Sequence, residues 1–260
     1  MTDLDVVADL RAEGEALDRV VGGLPPGGWV VATPAAGWSI GHQIAHLAWT
    51  DGMALRALTD PDAFVAERDR SMGRADSYVD RAAARGAARP DLLAHWREVR
   101  ETLAEALADA PRGTRVPWFG PPMSVTTLAT ARLMETWAHG QDVVDALGVR
   151  REPTARLRHV AHLGVRTRDF AFLIRGDEAP GGPFRVELEG PGGESWEWGP
   201  EDAEQRVLGR ALDFCLLVTQ RRHLSDLAVT AVGPDARRWL EIAQAFAGPP
   251  GAGRAAGASA

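Results

Sequence analysis

Cysteine is almost absent from this chain: Cys215 stands alone among 260 residues, so no intrachain disulfide braces the fold, and a reducing compartment suits it. Long apolar runs are absent too. No stretch approaches the roughly 18 to 20 apolar residues that span a bilayer, and Met1-Thr2-Asp3-Leu4-Asp5 is acidic where a signal peptide is basic. These absences predict a cytoplasmic protein without a membrane partner. A net charge of -7 and a pI near 5.5 lack the clustered cations that a phosphate backbone demands, which argues against nucleic acid. H-E-x-x-H, a P-loop and a G-x-G-x-x-G after a strand are also missing, so zincin-protease and nucleotide-binding readings have no support.

What is present is an ordinary globular composition, 45% hydrophobic, which predicts a sizeable core. Four segments carry helical periodicity. Residues from about Leu4 to Val21 interleave acidic and apolar positions until Gly22-Gly23-Leu24-Pro25-Pro26 stops the helix. Ser39 is a candidate N-cap for a second helix, with Ile40, Ile44, Leu47, Leu55 and Leu58 running to Asp60-Pro61. Arg89-Pro90-Asp91 opens a third, to Ala110, with Leu92, Trp96, Val99, Leu103 and Leu107 in one stripe. Ser124 to Leu147, closed by Gly148, is the fourth. The expectation is a mainly α chain whose first domain, residues 1–150, is a four-helix bundle of the kind that hosts metal sites between facing helices.

Beyond it, Thr154 to Ile174 reads as a single linking helix. Phe184 to Glu189 and Ser195 to Trp198 alternate with period two around Gly190-Pro191-Gly192-Gly193, a hairpin pattern. A helix from about Pro200 to Arg222, a strand at Leu227 to Ala231 and a helix from Asp235 to Phe246 complete a small α+β domain over 151–247. The Gly-, Ala- and Pro-rich residues 248–260 read as a flexible tail. Cys215, within the apolar Ala211 to Val218, is expected to pack as a small hydrophobe.

Two of the helical segments carry ligand-type side chains. Glu135 and His139 are four residues apart, hence on one face, one turn from each other. Glu135 lies among Leu133, Met134 and Trp137, too apolar a setting for a carboxylate without a partner, and a cation would provide one. His42 and His46 share a face of the second helix, and either could supply a third ligand. His46 is chosen because it lies deeper in the apolar run, leaving His42 as an outer-sphere, substrate-facing or solvated residue. Asp142, one turn after His139, is a candidate to orient a ligand. Two imidazoles and a carboxylate suit Zn²⁺ or another first-row divalent ion and leave a position for water or substrate. Trp118-Phe119-Gly120-Pro121-Pro122, ahead of the fourth helix, reads either as a lip over a pocket or as an apolar staple.

The stretches Gly37-Trp38-Ser39-Ile40-Gly41-His42-Gln43-Ile44-Ala45-His46-Leu47 and Glu135-Thr136-Trp137-Ala138-His139-Gly140-Gln141-Asp142 resemble the two signatures of the mycothiol-dependent maleylpyruvate isomerase family, within the DinB-like metal-binding superfamily. The resemblance extends through Trp196-Glu197-Trp198-Gly199 and Ala236-Arg237-Arg238-Trp239-Leu240, and is closest to an actinobacterial branch of metal-binding proteins with a Gly248-Pro249-Pro250-Gly251-x-Gly253-Arg254 tail. It implies a DinB-like bundle, His46, Glu135 and His139 as zinc ligands, Arg221 or Arg222 as a catalytic arginine, and mycothiol as co-substrate. The implied activity is zinc-dependent isomerisation or thiol transfer on a small electrophile, which an arginine holds by a carboxylate. Metal-water hydrolysis, or ligand binding without turnover, is the alternative. A homodimer is compatible with the small C-terminal unit.

Overall fold

Asp5 begins the first helix, its carboxylate accepting from the amides of Val7 and Ala8 at 3.0 and 3.1 Å, which satisfies donors that a helix start leaves unpaired. The computed structural model describes residues 5–72, 75–111, 113–251 and 253–257, and only the backbone of 71, 72 and 75–77. Leu4, where the first helix was expected to start, lies outside the described residues, as do tail residues 252 and 258–260. The chain divides into two units, Met1–Arg151 and Glu152–Ala260.

In the first unit the four expected helices are α1 (Val6–Val21), α2 (Ile40–Thr59), α5 (Leu92–Asp109) and α6 (Val125–Leu147). The bundle also contains α3 (Pro61–Met72) and α4 (Ala75–Ala87), which periodicity did not announce. α4 packs on α2 through small side chains: a Cβ on Gly86 would stand 2.7 Å from that of Ala45. A short antiparallel pair, β1 (Arg115–Val116) and β2 (Met123–Ser124), precedes α6. Gly148, in the left-handed region at φ 63°, ends α6.

Helix α2 packs against α4, α5 and α6, and α1 packs against α5 and α6. Leu17 and Val21 of α1, Ile44 and Leu47 of α2, Leu92 and Trp96 of α5 and Val143 of α6 bury together. Each such apolar side chain contributes about 1.5–3 kcal/mol.

The second unit corrects two expectations. The linking helix is two helices, α7 (Leu157–Arg166) and α8 (Arg168–Leu173). They part at Thr167, whose hydroxyl donates to the carbonyls of Leu163 and Gly164 and so competes with the backbone ladder. The helix expected over Pro200 to Arg222 is a strand followed by a shorter helix. β3 (Phe184–Glu189) and β4 (Ser195–Trp198) form the expected hairpin, with Leu188 opposite Trp196. β5 (Gln205–Arg210) runs parallel to β3 on one side and antiparallel to β6 (Val229–Val232) on the other. The sheet order is β4-β3-β5-β6.

Helix α9 (Ala211–Val218) follows β5, and α10 (Pro234–Ile242) follows β6. Cys215 is fully buried in α9, its Sγ 3.5 Å from the Leu157 carbonyl, and burial pushes its thiol well above the ordinary range. The chain is mostly helical, with its four-stranded sheet confined to the second unit. Among the described residues no helix is long and apolar enough to cross a membrane.

Candidate metal centre

Helical spacing aligns Gln43, His46 and Thr50 along one side of α2, and Arg132, Glu135 and His139 along one side of α6. The two rows face each other, antiparallel. His139 Nδ1 lies 2.5 Å from Gln43 Oε1. His46 Nε2 lies 3.7 Å from Glu135 Oε2. Arg132 donates to Asp51 Oδ1 at 2.9 Å and to Thr50 Oγ1 at 2.7 Å, while Thr50 donates to the His46 carbonyl at 2.9 Å. This polar ladder fixes the register of α2 against α6, and with it the approach of His46 to Glu135 and His139.

His46, Glu135 and His139 each offer a ligand atom within 4.8 Å of the others. Atoms bound about 2.0–2.1 Å from a tetrahedral ion stand about 3.3 Å apart. The two imidazole Nε2 atoms lie 3.0 Å (His139) and 3.7 Å (His46) from Glu135 Oε2, so the donor set fits a small divalent cation without rebuilding the helices. His46 Nδ1 is buried without a hydrogen-bond partner, which leaves Nε2 as the nitrogen aimed at the carboxylate. Burial opposes ionisation of Glu135, but the imidazoles of His139 and His46 and the charge of Arg132 outweigh it and hold the carboxyl well below its usual range. The group is therefore an anionic carboxylate at neutral pH.

Aromatic rings surround these groups. Trp38 stacks on His139 with centroids 6.0 Å apart and lies 5.2 Å from His46. Its indole N–H donates to Asp80 on α4 at 2.9 Å. Trp49, 5.8 Å from His46, meets Tyr78 and, through Phe119, continues to Phe64 and Trp118. Trp118 is buried face to face with Phe64, and its carbonyl accepts from Arg68 at 3.1 Å. The β1–β2 loop is thus anchored through Trp118, while half-buried Phe119 meets Trp49.

The other candidate residues fall in different places. His42 serves the start of α2: its Nδ1 accepts from the Ser39 amide at 3.3 Å and meets Ser39 Oγ at 2.8 Å. That stretch, Gly37-Trp38-Ser39-Ile40-Gly41, also spells Gly-x-Ser-x-Gly, but Ser39 here caps a helix entered from an isolated bridge with Ala32, not from the strand that a nucleophile elbow needs. Asp142 is buried on α6, one turn after His139. Arg221 and Arg222 belong to the second unit, just past α9, where Gln220 takes a left-handed φ of 59°. Their guanidinium groups donate to the carbonyls of Thr219 and Arg221, each at 2.7 Å.

Gln43, Arg132, Asp51 and Thr50 were not singled out in the sequence. Arg132 carried a signal, since a guanidinium within Leu128-Ala129-Thr130-Ala131-Arg132-Leu133-Met134 needs a buried partner just as Glu135 does.

Residues 10–144, just over half of the chain, match the family model described as mycothiol maleylpyruvate isomerase N-terminal domain. Residues 180–232, which contain β3 to β6, match one described as wyosine base formation. Two uncharacterized proteins of Mycobacterium tuberculosis, from strains CDC 1551 / Oshkosh and ATCC 25618 / H37Rv, are each 58% identical over 250 residues, covering 95% of this chain and 97% of the relative. Crystal structures of the mycothiol-dependent maleylpyruvate isomerase and of a histidine-to-alanine mutant superpose with TM-scores of 0.58 and 0.57. At 18% identity, over 89% of this chain and 94% of the other, that likeness is one of fold.

Proposed function

Because the chain belongs to the mycothiol-dependent maleylpyruvate isomerase family, we propose that it is a divalent-metal enzyme, zinc by donor chemistry, that uses a low-molecular-weight thiol such as mycothiol on a small electrophile. The observation that carries this reading is the convergence of His46, Glu135 and His139 within 4.8 Å, in the unit that matches the family.

A bound zinc ion supplies a Lewis-acidic position that holds a thiol as thiolate near neutral pH. The chain's own residues do the rest. Glu135, ionised, balances positive charge at the centre, and Trp38 and Trp49 keep its surroundings apolar, which strengthens electrostatic interactions there. The sulfur adds to an electrophilic carbon conjugated to a carbonyl: a C–S bond forms as the π pair moves toward the carbonyl oxygen. Rotation and reversal return the thiol with an isomerised alkene. Protonation instead leaves a thioether, the product of transfer.

The chain contains no lysine, so no side-chain amine is available to form a Schiff base with a carbonyl substrate. Arg221 and Arg222, in the second unit, are the candidates for holding a carboxylate, since their forked donors suit bidentate binding. Asp142 is assigned to the support of the ligands on α6, and His42 to the rim that the substrate meets.

The test is metal content by mass spectrometry on protein purified without added metal, followed by assays of free-thiol loss and of alkene isomerisation with a conjugated electrophile. Wild type should carry about one equivalent of metal, and His46→Ala, Glu135→Ala and His139→Ala should lose it. Wild type that stays metal-free after zinc is supplied overturns the metal reading. Metal-loaded protein that neither consumes thiol nor isomerises any electrophile in its presence overturns the thiol chemistry, and ester or amide cleavage without thiol redirects it to hydrolysis.

A further inference from the structure

The hydrogen-bond chain that ends on His139 has a fixed direction. Its far end is the main-chain carbonyl of Trp38, which has no hydrogen to give, so Thr33 directs its hydroxyl proton there at 2.9 Å. Thr33 Oγ1 is left as an acceptor, and Gln43 Nε2 donates to it at 2.9 Å. The amide is thereby turned with Oε1 toward His139 Nδ1, 2.5 Å away. A carbonyl oxygen only accepts, so the proton of the imidazole sits on Nδ1. Nε2 is thereby the nitrogen turned to Glu135 Oε2, 3.0 Å away. A proton on Nε2 makes this contact an ion pair, and its loss leaves a lone pair directed at the same place, where a cation can take the proton's part.

We infer that Gln43 is a positioning residue that sets the tautomer of His139 and so presents Nε2 to the ion shared with His46 and Glu135. The inference rests on the metal reading above. Gln43 suits the task because it is fully buried, and its donation to Thr33 keeps the amide from turning over. Partners of this kind typically alter metal affinity 10–100-fold when removed.

The experiment is zinc affinity, by competition with a chromophoric chelator, for wild type, Gln43→Met and Gln43→Glu, with urea unfolding of the metal-free proteins alongside. Gln43→Met keeps the volume and loses the acceptor; it should bind zinc about 10–100-fold more weakly. Gln43→Glu keeps an acceptor oxygen while losing the donor to Thr33; it should recover most of the affinity. Unchanged affinity in Gln43→Met, or an equal loss in both variants, overturns the inference. Nitrogen NMR of metal-free wild type with labelled histidine reads the tautomer without any variant. At alkaline pH a proton on Nδ1 of His139 is expected, and a proton on Nε2 overturns the role of Gln43. Wild type that binds no zinc defeats the metal reading and the presentation of Nε2 with it, while the NMR result judges the Gln43–His139 contact separately.

Discussion

Arg132 and Asp51, exposed to only 2% and 3%, form an ion pair one turn along the ladder from Glu135. Removing one partner strands the other charge in the interior. Arg132→Met should therefore cost about 3–5 kcal/mol, while the double variant Arg132→Met, Asp51→Leu should recover most of that, both measured by urea unfolding. Cys215 behaves oppositely: with its thiol protonated and buried, it should resist a thiol reagent in the native protein and react on unfolding. The pairing of Glu135 with His139 was legible in the sequence because it lies within one helix. Gln43 and Asp51 were not, because their importance depends on how α2 slides past α6. Antiparallel register sets Gln43 opposite His139, His46 opposite Glu135 and Asp51 opposite Arg132, and no periodicity in either helix encodes that alignment.

Among the elements, α1, α2, α5 and α6 carried strong apolar stripes and clear stops, and they were legible. α3 and α4 were not: α4 buries alanines such as Ala82 and Ala83, which add little to a hydrophobic pattern, and among the described side chains of α3 only Phe64 is fully buried, too little to make a stripe. β5 was hidden for another reason. Its six residues form a strand because β3 and β6 pair with it from both sides, a tertiary influence that overrides local preference. Gly209 permits that pairing: a Cβ there would stand 2.6 Å from the Ala228 carbonyl. Gly199, at φ +82°, is tighter still, with a Cβ site 1.9 Å from the Phe184 carbonyl. Gly199→Ala should destabilise the second unit by at least about 2 kcal/mol in urea.

Between α1 and α5, the hydrogen bond and charge of Arg97, with help from Arg100, outweigh partial burial and hold Asp18 below the usual carboxylate range. The folded-state pKa then lies under the unfolded one, so the pair stabilises above the unfolded value and its contribution is lost as the pH falls through the folded one. The stability gap between wild type and Asp18→Asn should be full at neutral pH and close as the pH drops below about 4.

At the scale of the molecule, a ligand that binds only the folded state adds stability by mass action. Zinc at one hundred times its dissociation constant should raise unfolding free energy by about 2.7 kcal/mol, an increment that His139→Ala should abolish. Nine tryptophans are distributed through the chain, three of them in the second unit, yet two stand apart: Trp38 and Trp49, with rings 5.2 and 5.8 Å from that of His46. Those two indoles would be built-in lamps beside a bound ion. A filled d shell such as that of zinc leaves their fluorescence lit, whereas cobalt(II) or copper(II) in the same seat darkens it, so the protein announces by its own emission which metal it has taken.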